Sequence, residues 1–392
     1  MGAMKLMKHI LLISALSLAF FSGCVKNDAY TPESDPHKIH FTSPVVDVIT
    51  KANNGEISGI FPTSENFTVW AVLHNSSFEG WTTNSVTYMN QVECAYDEGS
   101  YNDSTTGQGG WSSSAVPGGK AYYWPFEGVL TFAAYSPSSA HSVDPQDGSG
   151  TGIFTYGANG LSIEKFSINS EVKNQKDLMF SERSYNRTTS TGGENETYDG
   201  VDLTFRHALS SIRFNVQKKE KYPDHTFTLT NISIGDVKCK GSFAENILDE
   251  TSSTYSSAPA WDVDDDAKVS IPYRLEIDSD PKTSEIEPLI VEKYGTANFH
   301  EVPQGAILMP QVFKEGSDVK NGDAYIVIDY MVNVEGFEHP VTQTATVRLS
   351  AITDIWEMGK RYTYNIILGY DTITVSPTVP GWVDVTIEAG IK

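Results

Sequence analysis

Cysteine is scarce in this chain, with three in 392 residues, at positions 24, 94 and 239. That is too few for a disulfide framework. Cys94 and Cys239 are far apart and lack metal-ligand spacing, so they read as two separate, mostly buried thiols; pairing in an oxidising compartment is the other reading. Basic residues are also few: 28 Lys and Arg against 50 Asp and Glu, a formal net charge of -22. Gripping a phosphate backbone needs a basic surface, so nucleic acid is excluded as a partner. Direct docking on anionic lipid is disfavoured for the same reason. Beyond residue 24 no apolar run approaches the ~20 residues that a spanning helix needs, and no long helical period is present.

Catalytic signatures are missing too. There is no Gly-x-Ser-x-Gly, no His-Glu-x-x-His and no phosphate-cradling glycine loop. The histidines at 37, 40, 74, 141, 207, 225, 300 and 339 are scattered, and His207, beside Arg206 on a strand-like run, reads as a packed structural residue. Asp262-Val263-Asp264-Asp265-Asp266 has the alternate spacing of a calcium loop. Ala267 stands at its sixth position and Tyr273 at its twelfth, which rules out an EF-hand. A looser calcium site and a solvated acidic loop both stay open. The chain reads as a non-enzyme with no catalytic residue, no metal ligand set and no cofactor.

What is present begins with a leader. Lys5 and Lys8 precede an apolar run from Ile10 to Phe21, and Ser22-Gly23-Cys24 follow. A basic start, a short apolar middle and small residues at the cut are the layout of a secretory signal. With Cys24 directly after the cut it resembles a bacterial lipobox, with acylation of Cys24 as membrane attachment, although Phe21 stands where such a box usually has Leu. An ordinary cleaved signal with an incidental cysteine is the alternative. Residues 1–23 are therefore the expected signal. Residues 24–44, polar and carrying Pro32, Pro36 and Pro44, are expected to be a flexible tether.

Strand signals dominate the remainder: 67–73, 129–135, 161–168, 211–217, 226–234, 325–332, 342–349 and 362–368. In Ile212-Arg213-Phe214-Asn215-Val216 the apolar residues fall on one face, as in a strand with one side in a core. Clusters of Gly, Ser, Asn and Asp separate these runs at short intervals, which argues for antiparallel sandwiches rather than parallel α/β units. A short helix near 246–250 is the most helix that the pattern allows. The polar stretch 185–195 is the expected boundary between two tandem antiparallel β-sandwich domains, 45–195 and 196–392. A long loop inside one sandwich is the alternative. Trp70 and Trp124 are expected in the core. Trp111, inside a Gly/Ser loop, is the candidate for an exposed ligand contact.

Several segments in order resemble the fimbrillin family, subunits of type V pili in Bacteroidales. They are Tyr123-Trp124-Pro125 with Leu130–Pro137, Asp177-Leu178-Met179-Phe180, Leu203–Ile212, Trp356–Tyr364 and a closing Gly381-Trp382. The resemblance implies two β-sandwich domains of Greek-key-like, transthyretin-like form, export as a lipoprotein to the outer membrane surface, and assembly with other pilus subunits by strand exchange. It also implies proteolytic removal of the first strand after a basic residue, usually in Thr-Arg-Ala. Here the matching residues are Thr50-Lys51-Ala52, and no arginine precedes Arg183. Either a lysine-tolerant protease cuts between Lys51 and Ala52, or the subunit keeps its first strand, as an anchor or terminal subunit can. An open sheet edge is completed by an added extended segment. The alternating Val383-Asp384-Val385-Thr386-Ile387-Glu388 is the candidate donor, through Val383, Val385 and Ile387. The competing function is a monomeric surface lipoprotein that binds glycans or another host or bacterial surface ligand.

Overall fold

The computed structural model describes residues 38–42, 44–46, 59–74, 85–98, 110–125, 128–141, 152–186, 200–220, 224–246, 259–273, 288–295, 298–303, 305–370, 373–379 and 385–386. Among them the chain is all β, with a few short 3-10 turns and no α-helix. The runs read as strands from sequence form Phe67–His74, Val129–Ser136, Gly160–Ser167, Ser210–Lys218, His225–Lys238, Tyr325–Val334, Val341–Arg348 and Arg361–Leu368. Tyr325–Val334 shows why. Its buried residues Ile326, Ile328, Tyr330 and Val332 alternate with half-exposed ones, so one face packs and the other meets water.

The first sheet has the spatial order Gly59–Ile60, Val45–Val46, Thr204–His207, Met179–Ser181, Val129–Ser136, Phe67–His74, Val86–Asp97, Gly110–Ser112. It encloses a core built on Phe41, Phe61, Phe67, Phe132, Phe205 and Trp111. A second, larger core lies between three further sheets. One runs Ala260–Val263, Lys240–Ala244, Gly160–Ser167, Ile153–Gly157; one is built around His225–Lys238 and Tyr325–Val334; one is built around Ser210–Lys218 and its parallel neighbour Arg361–Leu368.

The pairings cross position 195 in both directions. Thr204–His207 joins the first sheet through Met179–Ser181, and Gly160–Ser167 pairs with Lys240–Ala244. The expected boundary stretch lies outside the described residues after 186. The two cores also share strands. Phe67–His74 and Val129–Ser136 are buried on both faces. Val69, Ala71 and Phe132 point into the first core, while Trp70 and Tyr135 point into the second. There Trp70 stacks on Tyr156 at 5.8 Å and Tyr135 meets Phe154 at 4.4 Å.

Glu245 sits on this seam, 2 % exposed. Its carboxylate accepts from Leu161 N–H at 2.7 Å, and its own N–H donates to the Leu161 carbonyl at 3.0 Å. Burial pushes the Glu245 carboxyl up to about 7, against the opposing pull of the Leu161 N–H, Arg183 and Arg206. A folded-state pKa raised from 4.5 means that the folded chain holds this proton more tightly than the unfolded one. The stability it contributes is present below the unfolded pKa and falls as pH rises through the interval up to about 7, by up to ~3 kcal/mol. Glu245→Gln keeps an acceptor for Leu161 and removes the titration. Thermal melts should show wild type losing several degrees between pH 5 and pH 7.5 relative to the variant. Parallel pH profiles for the two proteins would show that Glu245 has no such role.

Candidate functional site

Residues 38–42 and 44–46, with isolated β-bridges at Lys38 and Phe41 and the strand Val45–Val46, are held on both sides. Along one side, Ile39 N–H donates to the Tyr122 carbonyl at 2.8 Å, and Phe41 and Trp111 exchange N–H···O bonds of 2.8 and 3.0 Å. Farther on, Val45–Val46 pairs antiparallel with Gly59–Ile60, and Phe61 N–H donates to the Pro44 carbonyl at 3.0 Å. Along the other side the segment runs parallel to 200–205. Val201 N–H donates to the His40 carbonyl, Thr42 N–H to the Val201 carbonyl and Val45 N–H to the Leu203 carbonyl. The segment thereby joins Gly110–Ser112, at one end of the first sheet, to the strand Thr204–His207 near the other.

Lys38, Ile39, His40 and Phe41 are all buried. Ile39, Phe41 and Val46 are buried in the first core, and Val45 is 53 % exposed. Phe41 lies edge-on to Phe67 at 5.4 Å and to Phe132 at 5.7 Å. Thr42 Oγ1 donates to Asp202 Oδ1 at 2.5 Å. Gly200 lets the chains approach this closely, because a Cβ there would lie 2.8 Å from Thr42 Cγ2 and 2.9 Å from His40 Cδ2.

This corrects the reading of 24–44 as tether. At least residues 38–42 and 44 belong to the fold, and His40 is buried rather than lying in a loose segment. The signal was the short alternation Ile39-His40-Phe41, masked by the neighbouring Pro36 and Pro44. Val45 and Val46 pair as strand, and Asp47, Val48 and Ile49 lie outside the described residues.

Trp111 is not an exposed ligand contact. It is 1 % exposed, with its ring edge-on to Tyr96 at 4.9 Å and Phe61 at 5.8 Å, and its Nε1–H donating to the Glu65 carbonyl at 3.3 Å. The small residues around it, which suggested a solvent loop, instead form the buried three-residue strand Gly110–Ser112. Trp70 and Trp124 are in the core as expected. Cys94 and Cys239 are both free and buried, and burial raises both thiol pKa values. Cys24, Lys51, Ala52, Val383 and Ile387 lie outside the described residues, as do residues 247–250 of the expected short helix. Val385 is in the strand Val385–Thr386, which pairs antiparallel with Ile373–Val379 at the end of its sheet.

Other polar clusters serve the fold. His207 Nδ1 lies 2.9 Å from Asp177 Oδ1, both buried. Asp265 pairs with Lys238 at 2.5 Å, and the described residues contain no group of acidic, His or Cys side chains arranged to hold a metal. A cleft of about 500 Å³ is lined by Trp261, Val263, Pro310, Val312, Ile355 and Met358 among others. Its Gln311 is committed within the fold: Oε1 accepts from Lys238 N–H and Asn321 Nδ2, and Nε2 donates to the Lys238 and Met309 carbonyls.

The comparisons with known proteins agree with this architecture. A fimbrial protein from Bacteroides vulgatus superposes with a TM-score of 0.54 at 16 % identity, over 88 % of this chain and 99 % of that one. Provisionally assigned cell adhesion proteins from Bacteroides uniformis and Bacteroides ovatus lie further off. Both are 12 % identical, with TM-scores of 0.43 and 0.41, covering 88 % and 89 % of this chain and 98 % of each of theirs. No curated protein matches. Residues 50–382 match the fimbrillin-like family, and the chain belongs to that family.

Proposed function

We propose that this chain is a structural subunit of a surface fimbria, exported as a lipoprotein through Cys24, held at the outer membrane and assembled by strand exchange in support of adhesion. Membership of the fimbrillin-like family carries the subunit role. The observation that carries strand exchange is the seating of Lys38–Val46. It lies upstream of Lys51, so a cut between Lys51 and Ala52 detaches it from the rest of the chain. Its departure would remove backbone partners from Tyr122, Trp111, Val201, Leu203 and Phe61. It would also empty the sites of Ile39, Phe41 and Val46. At ~1.5–3 kcal/mol per large apolar side chain, that burial amounts to roughly 5–9 kcal/mol, comparable with the whole stability of a typical domain. A groove of that kind calls for a replacement strand. The alternating segment 383–388 of a neighbouring copy has the right pattern, with Val383, Val385 and Ile387 on one face.

The glycan-binding alternative loses its named contact with the burial of Trp111.

Four measurements test the proposal. Mass spectrometry of the surface protein should find Ala52 at the mature N-terminus of polymerised subunits. Lys51→Ala should leave folded subunits that keep residues 38–46 and accept no neighbour. Normal polymers from that variant would remove cleavage at Lys51 from the mechanism. Cys24→Ala should leave precursor or release soluble protein, and fractionation with membranes identical to wild type would refute acylation there. Deleting Gly381–Lys392 should abolish polymer while the monomer stays folded and protease-resistant. Collapse of the second core would instead show that this segment is a fixed part of its own sheet.

A further inference from the structure

His300 holds the crossover between two sheets of the second core. The strand Leu289–Val291 pairs with His225–Lys238, and the strand His300–Glu301 pairs with Ser210–Lys218. The chain must therefore pass from one sheet to the other between residues 291 and 300. The His300 imidazole ties the two ends of that passage together, because its Nε2 accepts from Glu292 N–H at 3.0 Å and from Lys293 N–H at 3.1 Å. Backbone amides only donate, so Nε2 carries no proton here and the neutral ring has its proton on Nδ1. The near end of the crossover rests on the edge of Ser210–Lys218 through Lys218 N–H donating to the Lys293 carbonyl at 2.9 Å. Lys218 Nζ also lies over the Tyr294 ring at 5.7 Å. The far end rests on Val302 N–H donating to the Phe214 carbonyl at 2.9 Å.

We propose that His300 is an acid-sensitive clasp, which holds Glu292 and Lys293 to the strand His300–Glu301 while its imidazole is neutral and releases them when Nε2 is protonated. A proton on Nε2 removes the acceptor from both amides at once and points a third donor at them. The charged groups acting on the ring are Lys293 and Glu292, while on the adjoining strand Lys218 lies over Tyr294. Arg213 is engaged with Glu301 at 3.1 Å. Desolvation is the main influence lowering the His300 pKa from its ordinary value, with Lys293 adding to it and Glu292 opposing it. The clasp is thus closed at neutral pH and opens only in acid. Opening frees the two-residue strand His300–Glu301 and leaves the edge at Asn215 and Val216 without its partner.

The test is amide hydrogen exchange of Glu292 and Lys293 in the full mature chain from pH 7.5 to 4.5, expressed as protection factors, alongside NMR titration of the His300 ring. Protection of both amides should fall roughly tenfold or more as the ring protonates, with one shared midpoint. His300→Gln offers a neutral oxygen acceptor that does not titrate, and its protection should be flat with pH. Wild-type protection that stays constant while the ring takes up its proton overturns the proposal. A loss of protection in His300→Gln at the wild-type midpoint also overturns it, since another group would then be the sensor.

Discussion

The first core depends on one constraint: a strand inside a sheet needs hydrogen-bond partners on both of its edges. Residues 38–46 meet it from the start of the fold, with Tyr122, Trp111 and Phe61 on one side and Val201 and Leu203 on the other. Buried amides left unpaired cost more than the modest net gain of a made bond, so the segment and its neighbours specify each other. Phe41 adds the side-chain counterpart. It stands edge-on to Phe67 and Phe132, which belong to adjacent strands of the sheet, and so ties the seam to the sheet's middle.

That dependence is confined to one core. Ile39, Phe41 and Val46 all belong to the first cluster, and none of the described residues of 38–46 belongs to the second. The second cluster instead holds the shared strands from their other face, through Trp70 and Tyr135 packed on Phe154 and Tyr156. Loss of the N-terminal strand is therefore a local opening rather than global unfolding. Phe67–His74 and Val129–Ser136 keep one face packed whatever happens at the other. The proposed strand exchange would draw on this asymmetry, with one core open to replacement and one that keeps the frame.

The long strands were legible in the sequence because their apolar residues follow the two-residue period, as in Ser210–Lys218 and Tyr325–Val334. Val86–Asp97 was not, because only Met89 and Cys94 of its twelve residues are buried and they break the alternation. Residues 38–42 were hidden by their polar, proline-flanked surroundings, and Trp111 by the glycine and serine beside it, which are buried with it. The pairing of Gly160–Ser167 with Lys240–Ala244 lay beyond reach for a different reason. Gly160–Ser167 is recognisable alone, but which distant strand becomes its partner depends on how whole faces pack, and local composition carries no record of that.

Three of the segments that carry the family resemblance, 177–180, 203–212 and 356–364, meet in space. Asp177 lies against His207, and Ala208 N–H donates to the Leu178 carbonyl. Gly359 takes a left-handed φ of 70°, and its N–H donates to the Leu209 carbonyl at 2.9 Å. Ser210 Oγ donates to the Glu357 carbonyl, and Trp356 Nε1–H to the Tyr364 hydroxyl. These contacts fasten the end of the first sheet to the start of the second core's parallel pair. They fix where two sheets join and leave surfaces and loops unconstrained. A fimbrial protein only 16 % identical shares the fold. The shared segments report how the subunit is built, and whatever it adheres to must be read from residues outside them.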